Sequence, residues 1–395
     1  MSKRSGLLLV GNHDSDVGYA WWLMEGFWAA MAEAYQPSLV SYVAFPQVTK
    51  VSRRLFDAPL RVIEQDFRSP RPADLLAQFK LLRRLRIKTL YLSDWSTWKF
   101  RYLLYRIAGV ETIIVHDHTP GLRITPSGGK RMLKQMLNRA PMIAADGVIG
   151  ATEFVRRRLI EVSCVPPSRA WAVPNGLAPQ PNRTTVSSDV YTMFDIPRGR
   201  AIMVMVSRAN RYKNVEFVLE CLASLKEKHR DGIHFLFIGD GPHLEDFRTH
   251  AARLGVDGLS TFPGRLSDVA QILPGCTMAF HPARGEVGYS LSILEYMRAG
   301  LPVIVPDNPS VCGATSHGKT GLVYPEGNVE EASACVLRLA GDKALRARLG
   351  REAAQVVDEN YRLDRTHEAL LDACAGIDPR FPRKVEPVGQ GRVSS

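Results

Sequence analysis

The sequence predicts an α/β protein built from two Rossmann-like domains that face each other across a cleft. Three observations lead there. The chain has 395 residues, more than one hydrophobic core usually organises, so two domains of about 180 to 200 residues are expected. Short aliphatic runs ending in Gly, Asn or His recur, each followed by an amphipathic stretch of helix length, which is the pattern of βα units on parallel sheets. None of these runs approaches the roughly 20 apolar residues of a membrane span, so they read as buried strands.

In the first half, the runs at 7–10, 39–45, 89–92, 112–115 and 148–150 are expected strands. The opening segment lacks the apolar core and cleavage site of a signal peptide and reads as the first of them. Trp21, Met24, Trp28 and Met31 repeat at helical spacing and are expected in the core. Residues 74–88 set Leu75, Leu76, Phe79, Leu82 and Leu85 among five cations, with Trp95, Trp98, Phe100 and Tyr102 close behind. This is expected to be a basic helix packed on the sheet, with peripheral contact to anionic lipid as the sharper reading.

In the second half, the runs at 201–206, 234–238, 277–280 and 302–305 are expected strands. Between the halves, Val173-Pro-Asn-Gly and the Pro- and Ser-rich stretch at 179–188 mark the crossing. The expected domains are therefore 1–180 and 181–375, followed by a mobile tail at 376–395 that is rich in Pro, Gly, Arg and Ser.

Apolar residues make up 45% of the chain and charged residues 23%, as in ordinary globular proteins and unlike disordered ones. Six cysteines lie scattered without metal-ligand spacing, so reduced thiols, no metal and a cytoplasmic location are expected. Residues 1–180 hold 25 Lys+Arg against 14 Asp+Glu and carry the whole net charge of +11. An anionic partner for that half follows, with peripheral association at the inner face of a membrane as one form. No nucleic-acid recognition motif is present.

In open parallel sheets, ligands sit beyond the carboxyl ends of the strands. Arg208 and Lys213 follow the run at 201–206 and offer two cations to a diphosphate. Gly239 opens a tight Gly-Asp-Gly-Pro turn after 234–238, and Arg265 follows Phe262-Pro-Gly. Gly288, Tyr289, Ser290 and Leu291 lead into a short helix whose N-terminus suits an anion. Glu295 lies one turn inside that helix, placed to accept from a ribose diol.

This ordered series, closing with Leu-Glu-Tyr-Met-Arg-Ala-Gly-Leu-Pro-Val-Ile and Gly318-Lys-Thr-Gly-Leu-Val-Tyr-Pro, resembles the donor domain of glycosyltransferase family 4, retaining enzymes of the GT-B fold. The resemblance implies a metal-independent transferase without cofactor. It would move a sugar, with retention, from a nucleotide sugar, UDP by default, to a glycan, lipid-linked or polysaccharide acceptor. By the same resemblance Arg208 and Lys213 hold the diphosphate, Glu295 the ribose and Glu286 a sugar hydroxyl, while the amides from Gly288 to Leu291 meet phosphate and sugar. The family's paired glutamates stand as E-x7-E, whereas Glu286 and Glu295 have eight residues between them and Val287 occupies the expected register. Either a bulge restores the contact of Glu286 or that contact is altered.

In the first half, the resemblance puts Gly18 beside the donor phosphates and a histidine, His116 or His118, on the transferred sugar. These two imidazoles share one face of a strand end, and Asp117 between them is a candidate to orient or deprotonate the acceptor. Removing Arg208 or Lys213 is expected to cut turnover with the fold intact. Two rivals remain. Gly11-Asn-His-Asp with His116-Asp-His118 resembles metallophosphoesterases, although the earlier Asp-x-His block of that class has no place here. A non-transferring relative, such as an epimerase or a silent sugar-binding subunit, would share the fold.

Overall fold

The computed structural model describes residues 5–16, 22–36, 38–179 and 189–381. The chain forms two compact units: unit 1 comprises Met1–His118, Arg123–Pro174 and the chain from Thr366 on, and unit 2 comprises Thr119–Leu122 and Asn175–Arg365.

Unit 1 carries β1 (Ser5–Val10), α1 (Trp22–Tyr35), β2 (Leu39–Phe45), α2 (Arg53–Asp57), β3 (Leu60–Glu64), α3 (Pro72–Arg84), β4 (Ile87–Ser93), α4 (Arg101–Ile107), β5 (Thr112–Asp117), α5 (Gly128–Arg139), β6 (Gly147–Gly150), α6 (Glu153–Glu161) and β7 (Ala170–Ala172). The seven strands form one sheet in the order β3-β2-β1-β4-β5-β6-β7, every pairing parallel. Leu7, Leu8 and Leu9 are fully buried, as a strand covered on both faces requires. Met24, Trp28 and Met31 of α1 are core, as their spacing predicts, and Trp21 and Gly18 lie outside the described residues. The basic helix α3 begins on Pro72 and ends where Arg86 takes φ 53°, and it buries Gln78, Leu81 and Leu82.

Unit 2 carries α7 (Val190–Met193), β8 (Ala201–Val206), α8 (Val215–Ser224), α9 (Glu227–Arg230), β9 (Ile233–Ile238), α10 (Leu244–Arg253), β10 (Ser260–Gly264), α11 (Val269–Ile272), β11 (Met278–Phe280), α12 (Leu291–Arg298), β12 (Val303–Pro306), β13 (Gly321–Tyr324), α13 (Val329–Gly341) and α14 (Lys343–Asn360). Its parallel sheet runs β10-β9-β8-β11-β12-β13. Side-chain oxygens at the N-caps start its long helices: Asn328 accepts from the Glu331 amide and Asp342 from that of Leu345. In both sheets the chain winds outward from a central strand and then restarts on its other side, between β1 and β4 and between β8 and β11. Loops diverge at such a switch point and leave room for a ligand.

The division falls at Pro174–Asn175 rather than at 180, and the expected tail from 376 is in part structural. The last helix, α15 (Leu363–Ile377), hands the chain to unit 1 at Thr366. There Thr89 donates to the Asp378 carboxylate at 2.6 Å, Arg380 pairs with Glu111 at 2.5 Å, and Phe381 stacks on Tyr35 with centroids 4.0 Å apart. Buried partners for a carboxylate and a ring hold this segment where composition alone suggested a tail. Residues 382–395 lie outside the described residues. Among the described residues no helix is long and apolar enough to cross a membrane.

Candidate active site

In unit 2, the loop after β8 and the loop after β11 are stitched together. Asn214, in the left-handed region at φ 62°, donates to the Pro282 carbonyl at 3.2 Å and accepts from Arg284 at 3.3 Å. Helix α12 is anchored through its second turn to the end of β8, because the Tyr296 hydroxyl accepts from the Val206 amide at 2.5 Å and donates to its carbonyl at 3.1 Å. Residues far apart in sequence thus converge on one switch point.

At its floor lies a buried ionic triad. The Lys213 ammonium donates to Glu286 Oε1 at 2.5 Å, and His281 Nε2 lies 2.9 Å from the same oxygen. Burial alone would raise the Glu286 carboxyl, yet Lys213 and His281 outweigh it and hold it down at about 2. Burial likewise works against the Lys213 charge, and Glu286 more than offsets it, so the ammonium stays protonated. Burial lowers His281. Glu286, which the resemblance puts on a sugar hydroxyl, is thus engaged through Oε1 with Lys213 and His281. Lys213 spends one of three N–H donors on Glu286, and Arg208 stands exposed on the same loop.

Gly288 takes φ 110° and its carbonyl accepts from the Gly313 amide at 2.8 Å, a turn that leads directly into α12. Ser290 is the N-cap but gives no side-chain cap, which leaves the first turn of α12 suited to an anion. The Tyr289 phenol, in contrast, is buried and donates to the Asn175 carbonyl at 2.8 Å, a structural role that leaves the backbone as this residue's only offering to a ligand. Glu295 is half-buried, and burial raises its carboxyl against the opposing charge of Arg298. At Gly239 a β-carbon would strike the Ser207 carbonyl oxygen, so packing alone requires glycine there. Arg265 is exposed after β10.

In unit 1, β5 brings His116 and His118 together with ring centroids 4.0 Å apart, while Asp117 turns to the opposite face. Asp117 pairs there with Arg158 of α6 at 3.1 Å, both side chains nearly buried, a contact that ties α6 to β5. His116 is fully buried, stacked on Phe27 at 5.5 Å and bonded through Nδ1 to the Tyr91 hydroxyl. Neither ring nitrogen of His118 has a hydrogen-bond partner among the described residues. Burial lowers both imidazoles, so both are neutral near pH 7. His118 is thus the better placed of the two to meet a ligand.

Asp94 was missed from the sequence. It follows β4 at φ 57°, accepts from the His118 amide at 2.6 Å and lies 4.0 Å from His118 Nδ1. Burial raises its carboxyl, with His118 opposing. A carboxylate one residue past a strand at the switch point was the available signal. In the Gly-Asn-His-Asp segment Asn12 has a structural role, donating to the Ser93 carbonyl and accepting from Trp95 at 2.6 Å, while His13 and Asp14 stand exposed. Among the described residues no group of three or more His, Cys, Asp or Glu is arranged to hold a metal.

These features define a two-domain α/β architecture, the GT-B fold. Solved structures agree. A glycosyltransferase from Rickettsia africae superposes with a TM-score of 0.76 at 16% identity over 95% of this chain and 98% of its own. Anabaena HepE in complex with UDP and glucose gives 0.70 at 14% identity, over 94% of this chain and 100% of its own. Residues 193–356 match the family described as glycosyl transferases group 1. It is 26% identical over 268 residues to the alpha-monoglucosyldiacylglycerol synthase of Streptococcus pneumoniae, covering 66% of this chain and 58% of that one. To the alpha-D-kanosaminyltransferase of Streptomyces kanamyceticus it is 30% identical over 180 residues, 45% of each chain. The chain spans about half the length of these relatives.

Proposed function

We propose that this chain transfers a sugar from a nucleotide sugar, UDP-linked by preference, to a lipid-linked or polysaccharide acceptor, with retention at the anomeric carbon and without a metal or further cofactor. The observation that carries the reading is the convergence, at the switch point of unit 2, of Arg208, the Lys213–Glu286–His281 triad and the uncapped start of α12. A departing diphosphate needs fixed cations and amides that require no rearrangement as charge develops. Lys213 is fixed by its ion pair, and α12 by Tyr296. Glu295, half-buried beside them, suits the ribose diol.

In unit 1, a neutral His118 suits a hydrogen bond to a sugar hydroxyl, with Asp94 holding its backbone through the His118 amide. Two comparisons support the same direction: the relatives named are a synthase of a glucosyl lipid and a kanosaminyl transferase, and HepE was crystallised with UDP and glucose.

The test is a panel of UDP-, GDP- and ADP-sugars incubated with extracted lipids or oligosaccharides, following nucleoside diphosphate release together with the anomeric proton signals of the product. An α-linked product from an α-linked donor, formed equally with EDTA present, is expected. An inverted product would defeat the stereochemical part, and no release above hydrolysis with any donor and acceptor would defeat the whole.

A further inference from the structure

Helix α5 is amphipathic in the reverse of the usual sense. Its inward side is held by polar bonds: buried Asn138 donates to the Ser163 carbonyl at 2.8 Å, and Lys134 donates to the Val162 carbonyl at 2.9 Å. Its apolar stripe faces out, with Met132 62%, Leu133 55% and Met136 63% exposed. At 3.6 residues per turn these three fall within an arc of about 100°. Helices of globular proteins normally bury such a stripe, and one left outside marks an interaction surface.

The patch continues beyond the helix. Met142, just past α5, is 45% exposed, and the next residue's carbonyl accepts from the Lys99 amide at 2.9 Å, which brings the loop beside exposed Phe100 at the start of α4. Connections β4-α4-β5 and β5-α5-β6 advance in one direction along the sheet, so right-handed crossovers put both helices on the same sheet face.

Charge identifies the occupant. Between His118 and Asp146 the sequence has no carboxylate and, besides the inward-turned Lys134, four cations: Arg123, Lys130, Arg131 and Arg139. A second copy of this face would meet like charge. An anionic bilayer surface meets both needs at once, taking the apolar stripe at the depth of the acyl boundary and the cations at the headgroups. We propose that α5, with Met142 and Phe100, docks this protein on membranes bearing anionic lipid. The basic helix α3, in contrast, has its apolar side against the sheet through Leu81 and Leu82. This surface stands independently of the transfer reaction.

The test is co-sedimentation of the full chain with vesicles of equal phosphatidylglycerol and phosphatidylcholine, and with phosphatidylcholine alone. Wild type should bind the anionic vesicles at least about tenfold more strongly. Met132→Glu/Met136→Glu and Lys130→Glu/Arg131→Glu should each lose about tenfold or more, with Leu76→Glu on α3 unchanged as a control. Unchanged melting temperatures and unchanged nucleotide-induced melting shifts in both double variants would show the fold and the donor site intact. Wild type that ignores anionic vesicles, variants that bind them as well as wild type, or a concentration-dependent dimer dissolved by the methionine substitutions would each overturn the proposal.

Discussion

Lys213→Met is expected to destabilise unit 2, contrary to the simpler expectation that a phosphate-binding cation can be removed with the fold intact. Its ammonium is buried against Glu286, and removal leaves that carboxylate in the interior with His281 as its remaining neighbour. Breaking a buried pair from one side costs roughly 3–5 kcal/mol. For a unit of this size that corresponds to a fall in Tm of about 6–20 °C. Lys213→Met/Glu286→Gln, which removes both charges, should recover at least about 2 kcal/mol of the loss, a coupling that a double-mutant cycle reads directly.

The pH dependence has a definite sign. Glu286 is held at about 2 in the folded chain against an ordinary 4.5. Its contribution, about 3 kcal/mol for such a shift, is therefore fully present above pH 4.5 and lost as pH falls from there toward 2. In the single variant, burial pushes the carboxyl upward instead, so acidification to about pH 5 should relieve part of the penalty. Urea unfolding of wild type, single and double variants between pH 4 and 8 provides the assay. A single variant within about 0.5 kcal/mol of wild type at pH 7, with no gain from the second substitution, would refute the reasoning.

Further outcomes are expected at Arg208, at the two histidines and at Asp117. Arg208→Ala, at an exposed position, should lower turnover about 100- to 1,000-fold with Tm unchanged within error; wild-type turnover would remove Arg208 from the diphosphate site. His118→Ala should cost turnover at least about tenfold with little effect on unfolding, whereas His116→Ala, by orphaning the Tyr91 hydroxyl, should cost about 2 kcal/mol. Because burial depresses both imidazoles below 6.5, wild-type stability should decline as pH falls through that value, and the decline should be shallower in His116→Ala; identical profiles would contradict the burial of His116. Asp117→Asn should loosen α6, lowering stability by about 1–3 kcal/mol while turnover stays within about threefold of wild type, and a loss of turnover without loss of stability would restore Asp117 to the chemistry.

What was legible in the sequence follows a physical division. The nine expected strands are interior ones, buried on both faces and therefore written as continuous apolar runs. The four that composition did not reveal, β3, β7, β10 and β13, are the four edges of the two sheets. β3 alternates half-buried with exposed residues, β7 is three residues long, and β10 is only half-buried and carries Pro and Gly. An edge strand pairs on one side and carries no obligation to be apolar throughout. At the site, residue types that chemistry demands at strand ends were visible, including Arg208, Lys213, Glu295 and the histidine pair. Side-chain direction was not. Glu286 facing Lys213, Asp117 facing Arg158 and Tyr289 facing Asn175 depend on tertiary partners 73, 41 and 114 residues away. Asp94 was hidden because its importance lies in a left-handed backbone turn that aims it back at His118.

The most direct test of the account is a thermal-shift titration of the full chain with UDP, GDP and ADP and their common sugar conjugates, with and without EDTA. Ligand at about 100 times Kd stabilises the native state by about 2.7 kcal/mol, a rise of several degrees. The account predicts such a rise with one nucleotide family, UDP by preference, unaffected by the chelator and reduced in Arg208→Ala. No rise with any nucleotide, alongside stabilisation by a divalent metal that EDTA abolishes, would contradict it.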